Sequence, residues 1–273
     1  GIALAFGHQI IGAGPFISGF ARIWWIALYV IVLFNILAWR VFLPWIQNRQ
    51  FSLIVDAVVR ETADTVSIWL KGRNLELLQA RSGQFINLRF KHPGLLWEAH
   101  PFSLSAPVQK NHLRITVKNL GDASAKMQEL QPGTRVFIEG PYGISTAAAQ
   151  RHQQALLIAG GIGIAPIRAL AESLSNNQQI KVDLVVRARS WEQLALRNEL
   201  ELLNQRENVK VYYLLGSRQE YPIDENLFSH FLPDPTQVDV YACGSEDLLA
   251  DVRKTASDFG VPETNLHIDS FEM

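Results

Sequence analysis

The residues best equipped for chemistry lie in one stretch, His100-Pro101-Phe102-Ser103-Leu104-Ser105. Pro101 biases His100 toward extended geometry. The positions then alternate apolar and hydroxyl. On a strand, that sends Phe102 and Leu104 to one face and Ser103 and Ser105 to the other. A planar redox ring needs such a pair of surfaces, something flat to lie on and a hydroxyl in reach of a ring nitrogen. Taken alone, a stretch of this kind is usually just a strand.

Two glycine turns could hold a phosphate. Gly160-Gly161-Ile162-Gly163-Ile164-Ala165-Pro166 follows an apolar run and opens a helix. Its backbone can approach a pyrophosphate, and the helix dipole favours the anion. The spacing is not GxGxxG, and a lone glycine-rich turn is weak evidence. Gly121-Asp122-Ala123-Ser124 opens a shorter helix with free amides of its own, and Lys118 stands at the end of the strand before it. Capping by Asp122 or Ser124 and a solvated lysine would account for the same residues. Arg187 and Arg189 end a strand, with no acidic residue before Glu192. Arginine at such a place pairs a ribose 2′-phosphate, where an acid would accept the 2′-hydroxyl. Two solvated surface arginines are the alternative.

In this order the motifs resemble those of the ferric reductase and NADPH oxidase family, whose dehydrogenase domains are similar to ferredoxin–NADP reductase. The resemblance covers roughly Arg22 to Met273. It implies FAD against His100–Ser105, with Phe102 on the isoalloxazine, the Ser103 hydroxyl near the flavin N5 and His100 toward the phosphate or ribitol. Ferredoxin–NADP reductases more often carry Arg and Tyr where this chain has His100 and Phe102. The FAD diphosphate would sit at Gly121 and Ser124, with Lys118 nearby. Gly140-Pro141-Tyr142-Gly143 resembles the handover to the nucleotide domain. Gly160, Gly161, Gly163 and Ile164 resemble the pyridine-nucleotide loop. Tyr241-Ala242-Cys243-Gly244-Ser245 looks like the family's Cys-Gly-Pro turn beside the nicotinamide, with Ser245 where Pro is usual. Phe271 matches the terminal aromatic that stacks on the flavin. Ser103, Cys243 and Phe271 are therefore the expected catalytic positions. Cys243 as a buried structural thiol and Phe271 as a core aromatic are the alternatives. His8 looks like one haem ligand of a bis-histidine pair whose partners are not in this sequence.

The implied activity is a membrane-bound NAD(P)H oxidoreductase. It would pass electrons from NADPH, with NADH possible, through FAD to haem in a longer parent chain, and on to ferric iron or oxygen. Two other readings stay open: a flavin-dependent reductase serving a separate protein partner, and a non-catalytic nucleotide-binding module.

These residues need elements to hold them. The chain has 273 residues, 48% of them hydrophobic, enough for two domains with separate cores. A net charge of −1 gives no electrostatic case for nucleic acid. The single cysteine excludes an internal disulfide and is compatible with a reducing compartment. Ile23 to Trp45 is one apolar run with tryptophans toward its ends, long enough to span a bilayer as a helix in contact with membrane lipid. Arg40 interrupts it late and Arg49 and Arg60 lie beyond it, while only Arg22 precedes it, which places the C-terminal side in the cytoplasm, at an inner or plasma membrane. Residues 1–20 suggest the end of an earlier membrane helix and a Gly/Pro-rich turn.

From Phe51 to about Thr146, short strand-like runs separated by turn signals predict a small antiparallel β-barrel with one helix at about Ser124–Leu130. From Gln154 the rhythm predicts an α/β doubly wound domain with helices at Ile164–Leu174, Trp191–Leu203 and Glu246–Phe259. The expected division is 1–48 for a membrane fragment, 49–147 for an FAD-binding barrel and 148–273 for an NAD(P)H-binding domain.

Overall fold

The structure, a computed structural model, describes residues 19–270. The expectations at His8, at Phe271 and for the turn before Gly19 lie outside the described residues. The chain divides into two compact units, residues 1–49 and 50–273.

In the first unit, α1 (Gly19–Leu37) runs through a π turn (Ala38–Phe42) into α2 (Leu43–Phe51). Leu43 donates its N–H to the Ala38 carbonyl, one residue further back than in an α-helix. Pro44 follows at once. It has no N–H and its ring clashes with the carbonyl four residues earlier, so a widened turn relieves the helix there. The segment Ile23–Phe51 is 29 residues long, and its most apolar stretch has a mean hydropathy of 2.2 with none of it buried. It is long and apolar enough to cross a membrane.

Ser52, with φ 46°, ends the helix, so the strand expected from Phe51 starts later. Strands β1 (Ile54–Thr62), β2 (Thr65–Lys71) and β5 (His112–Lys118) form one antiparallel sheet. Strands β4 (His100–Ser103), β3 (Phe85–Phe90) and β6 (Val136–Tyr142) form another. Both contribute to one core, with Ile68, Leu70 and Ile115 from the first sheet and Ile86, Leu88 and Phe90 from the second. The edges are joined by single bridges, Ile54 with Arg135 and Leu104 with Ile115. The antiparallel module is thus two three-stranded sheets stitched at their edges, where the sequence predicts one barrel. Helix α3 (Asp122–Met127) follows β5.

The second module of this unit is a five-stranded parallel sheet. Its order is β11 (Leu266–Ser270), β10 (Asp239–Gly244), β7 (Gln154–Gly160), β8 (Lys181–Ala188), β9 (Val209–Leu215). Strand β7 explains why both faces are covered. Ala155, Leu157 and Ala159 pack with Ile167 and Leu170 of α4 (Ile164–Ser175) and Leu200 of α5 (Arg197–Leu203). Leu156 and Ile158 pack with Phe228 of α6 (Glu225–Phe231) and Leu249 and Val252 of α7 (Glu246–Phe259). A strand buried on both faces reads as a continuous apolar run. The chain reverses its direction across the sheet between β7 and β10, and parallel sheets bind ligands at such a switch point, outside the strand C-termini.

The helix expected over Trp191–Leu203 is broken. A 3₁₀ turn covers Trp191–Gln193, and α5 starts only at Arg197. Leu196 between them lies in the left-handed region at φ 60°, and its N–H donates to Glu61 Oε2 of β1 at 3.3 Å. A tertiary contact overrides the local helical preference here. Helix α6 has no counterpart in the sequence reading. Asp224 caps it by accepting from the Leu227 N–H.

Candidate functional site

Strand β4 pairs with β3 so that Phe102 lies opposite Ile86 and Ser103 opposite Phe85. Directly opposed residues share a face. Phe102 therefore packs against the core of the antiparallel module, yet stays partly exposed. Ser103 and Pro101 share the other face with Phe85 and Asn87. The Ser103 hydroxyl has no protein partner among the described residues. His100 is half-buried, and its Nε2 is buried with no hydrogen-bond partner. A buried unpaired polar atom costs free energy unless something else supplies the bond. An imidazole nitrogen and a free hydroxyl in one strand, beside a partly exposed aromatic face, fit a flavin dinucleotide.

The rest of the stretch departs from expectation. Leu104 is fully buried in the core, so its side chain cannot reach a cofactor. Ser105 is also fully buried. Its hydroxyl accepts from Arg114 Nε at 3.0 Å and its carbonyl from Arg114 Nη2 at 2.6 Å. The strand face holding both serines serves two ends: Ser103 is free and Ser105 is tied to protein.

At α3, the Ser124 hydroxyl accepts from the Leu120 and Gly121 N–H groups and donates to the Gly121 carbonyl. It is committed to its own turn, as the capping alternative predicts. No side chain caps the helix from Gly121. A Cβ added there would meet nothing within 4 Å. Lys118 pairs with Asp64 at 3.3 Å, which offsets the charge expected for an anion.

The loop from β7 to α4 meets the loop from β10 to α7 backbone to backbone. A Cβ on Gly163 would lie 2.1 Å from the Cys243 carbonyl oxygen. One on Gly244 would lie 3.3 Å from the Gly160 carbonyl oxygen and 2.7 Å from Leu248 Cδ2, and one on Gly160 would lie 2.5 Å from that same methyl. Gly163 is demanded by this backbone contact, while Gly160 and Gly244 are crowded by the Leu248 side chain. Gly161 differs: it has φ +56° and open space around its missing Cβ. Helix α4 has no side-chain cap at its Gly163 start. Ile164 is buried in the core, so only its backbone can face a ligand.

Cys243 is 1% exposed among core residues, and burial, with the Asp269 carboxylate beside it, pushes its thiol far up. Its side chain packs in the core and borders a small cleft. Cys243 and Asp269 are register partners on β10 and β11 and line one small cleft with Ser145, Gly83 and Pro166. The Ser145 hydroxyl donates to Asp269 Oδ1 at 3.0 Å. Burial raises the Asp269 carboxyl, against the opposing pull of the Ser145 bond and His267. Sequence reading missed Asp269. Its only signal was an acid in the closing strand.

Arg187 lies beside Gly160 in the sheet register, and its Nη2 is buried without a partner. Burial lowers its pKa, Asp251 opposes that, and Arg218 adds to it. Arg189 is exposed. The sequence showed no carboxylate at this strand end. The fold brings Asp251 of α7 there, ion-paired to Arg218, with Asp247 3.6 Å from the same guanidinium. Arg218 was also missed, because it joins Arg187 only through the adjacency of β8 and β9.

Among the described residues no three His, Cys, Asp or Glu side chains could hold a metal. The haem expected in a longer parent chain rests on His8, outside the described residues, and the Gly19–Phe51 segment carries no His, Cys or Met.

Residues 52–146 match an FAD-binding domain family and residues 157–254 an oxidoreductase NAD-binding domain family. The chain is 25% identical over 242 residues to a flavohemoprotein of Bacillus subtilis, covering 83% of this chain and 60% of that one. It is 27% identical over 232 residues to the ferredoxin reductase component of a 3-ketosteroid-9-alpha-monooxygenase of Rhodococcus rhodochrous, covering 82% and 66%. The chain thus spans under two thirds of the length of these relatives. Its fold resembles the flavohemoglobin of Malassezia yamatoensis, with a TM-score of 0.67 at 20% identity over 83% of this chain and 63% of that one. Taken with the glycine crevice and the half-open face of β4, these matches make the chain the bearer of an FAD- and NAD(P)H-dependent oxidoreductase domain, related to the flavohemoproteins and ferredoxin reductases.

Proposed function

We propose that this chain takes electrons from NADPH onto FAD and delivers them to a separate redox protein. The observation that carries this reading is the juxtaposition at the Ser145–Asp269 bond. It joins the module of the free Ser103 hydroxyl to the strand beside the nucleotide crevice. The ferredoxin reductase component among the relatives supports a protein acceptor over ferric iron or oxygen.

In this reading residues 49–147 hold FAD and residues 148–273 hold the nicotinamide nucleotide. Phe102 offers the partly exposed ring face, Ser103 a hydroxyl toward the flavin N5 and His100 its Nε2 toward the ribitol or phosphate. The backbone that follows Gly121, where open space surrounds the missing Cβ, faces the diphosphate. Gly161 and the uncapped start of α4 receive the nucleotide pyrophosphate. Arg187 and Arg189 face the adenosine ribose. Held by these residues, FAD would supply the exchange between two-electron chemistry with the nicotinamide and one-electron delivery to the acceptor. Asp269, held toward its protonated form at the crevice, is placed to hold a proton there. The buried Cys243 thiol shapes the wall. Phe271 keeps the proposed role of a ring that covers the flavin.

A second reading adds a membrane anchor, favoured by the exposed 29-residue apolar helix. Residues 1–48 would then tie the reductase to an inner or plasma membrane with residues 50–273 on the cytoplasmic side. Retention of the full chain in the membrane after an alkaline carbonate wash is the expected outcome.

The test of the main reading is anaerobic. NADPH should bleach the flavin absorbance of the FAD-loaded full chain faster than NADH does. Reoxidation by a ferredoxin or by cytochrome c should then outpace reoxidation by ferric chelate. A chain that binds no FAD, or whose flavin is not bleached by either nucleotide, overturns the reading.

A further inference from the structure

Glu199 on α5 stands between two arginines that belong to different modules. Arg114 comes from β5 of the antiparallel module, with its side chain 3% exposed, and both its terminal nitrogens reach the Glu199 carboxylate. Arg168 comes from α4, with its side chain 10% exposed, and its Nε forms an ion pair with Glu199 Oε2 at 2.7 Å. Arg168 also pairs with Glu172 one turn on, at 2.6 Å. Two guanidiniums and two carboxylates therefore balance in a nearly closed site. Removing Glu199 would leave two buried cations near one another with only Glu172, on the same helix as Arg168, to answer them. Breaking one partner out of such a group is far more damaging than replacing the whole group.

What the bridge holds matters more than its energy. Arg114 spends its Nε and Nη2 on the hydroxyl and carbonyl of Ser105, two residues beyond Ser103. Its guanidinium lies over the Trp69 ring at 5.0 Å, which fixes its plane. Arg168 sits on α4, whose N-terminus is the nucleotide loop. Helix α5 is aimed by the left-handed Leu196, whose N–H is held by Glu61 of β1. A non-glycine residue persists in that conformation only where its surroundings over-determine it.

We propose that the Arg114–Glu199–Arg168 bridge is a positioning clamp that sets the distance between the β4 cofactor strand and the α4 nucleotide loop. Glu199 would then control hydride transfer while touching neither cofactor nor substrate. This rests on the function proposed above.

The test measures flavin reduction in the FAD-loaded full chain by stopped flow, with Glu199→Gln beside the wild type. Misplacing reacting atoms by about 1 Å can cost about 100-fold, so the limiting rate in Glu199→Gln should fall by about 10- to 100-fold. The apparent Kd for NADPH and the FAD content should stay within about threefold, because no ligand contact is lost. Arg114→Lys keeps the charge but cannot serve Ser105 and Glu199 together, so it should not restore the rate. In the FAD-free chain, hydrogen exchange at the Ser105 amide, which donates to the Arg114 carbonyl, should quicken in Glu199→Gln. If Glu199→Gln does not fold, Ser105→Ala replaces it: it removes one acceptor, leaves the charges paired, and should lower the limiting rate about threefold. A wild-type limiting rate in the folded variant, or a loss confined to nucleotide affinity, overturns the clamp. No flavin reduction in the wild type overturns the proposed function instead, so the two failures are distinguishable.

Discussion

The chain opens two helices with glycine turns of similar appearance, and the fold treats them in opposite ways. At Gly163 a Cβ would strike the Cys243 carbonyl oxygen at 2.1 Å, while at Gly121 it would meet nothing within 4 Å. The first turn is locked backbone to backbone into the neighbouring loop. The second lies open beside a short helix whose Ser124 hydroxyl closes on its own turn. Both satisfy the same sequence argument for a phosphate cradle. A glycine in such a turn is therefore ambiguous until its neighbours are known: it can be required by the protein or only permitted by it. In the locked turn the residue left for a ligand is Gly161, with its left-handed φ and open surroundings.

The largest effect should come from Gly163→Ala. The clash is with backbone on both sides, so β10 or α4 must move, and a loss of about 3 kcal/mol or more is expected. Chemical denaturation of the variant checks it. A loss under about 1 kcal/mol would mean that the two loops yield and the contrast with Gly121 is false.

The next effect concerns the acid behind the locked turn. The Asp269 carboxyl is raised by burial despite the Ser145 bond. The folded chain therefore holds this proton at pH values where the unfolded chain has lost it. Stability drains away as pH rises from the ordinary aspartate range through the raised value, and it stays lower above that. Asp269→Asn keeps a hydrogen-bonding side chain and removes the titration. Its melting temperature should exceed the wild type's at neutral pH by about 2–4 °C, with the gap closing as pH falls below the ordinary aspartate range. A gap that does not change with pH would detach Asp269 from the buried side of the crevice.

The smallest structural effect should come from Gly121→Ala. With extended backbone and open space, the change should alter stability by less than about 0.5 kcal/mol. FAD affinity should fall all the same if the diphosphate approaches that backbone. A stable variant with unchanged FAD affinity would remove Gly121 from the cofactor site and leave α3 as an ordinary capped helix.

Much was legible where local pattern and burial agree. Helix α7 was read at Glu246–Phe259 and found there, because its apolar positions recur with helical period and Gly260 at φ 87° ends it. The apolar run of β7 announced a strand buried on both faces. The break in Trp191–Leu203 was not legible, because it depends on Glu61, which lies far away in the chain. The division of the antiparallel strands into two three-stranded sheets was not legible either, since single bridges at Ile54 and Leu104 are all that joins their edges.

The same division runs through the site. The sequence by itself determined which residue types were present: an aromatic and hydroxyls on one strand, glycines before two helices, arginines at a strand end. These follow from alternation, turn chemistry and capping, which act within a few residues. Only the tertiary structure decided what each residue is free to do. It turned Ser105 toward Arg114, sealed Cys243 in the core, brought Asp251 against Arg187 and Arg218, and set Glu199 between two modules. Burial and ion pairing depend on neighbours distant in sequence, so no local pattern could reveal them.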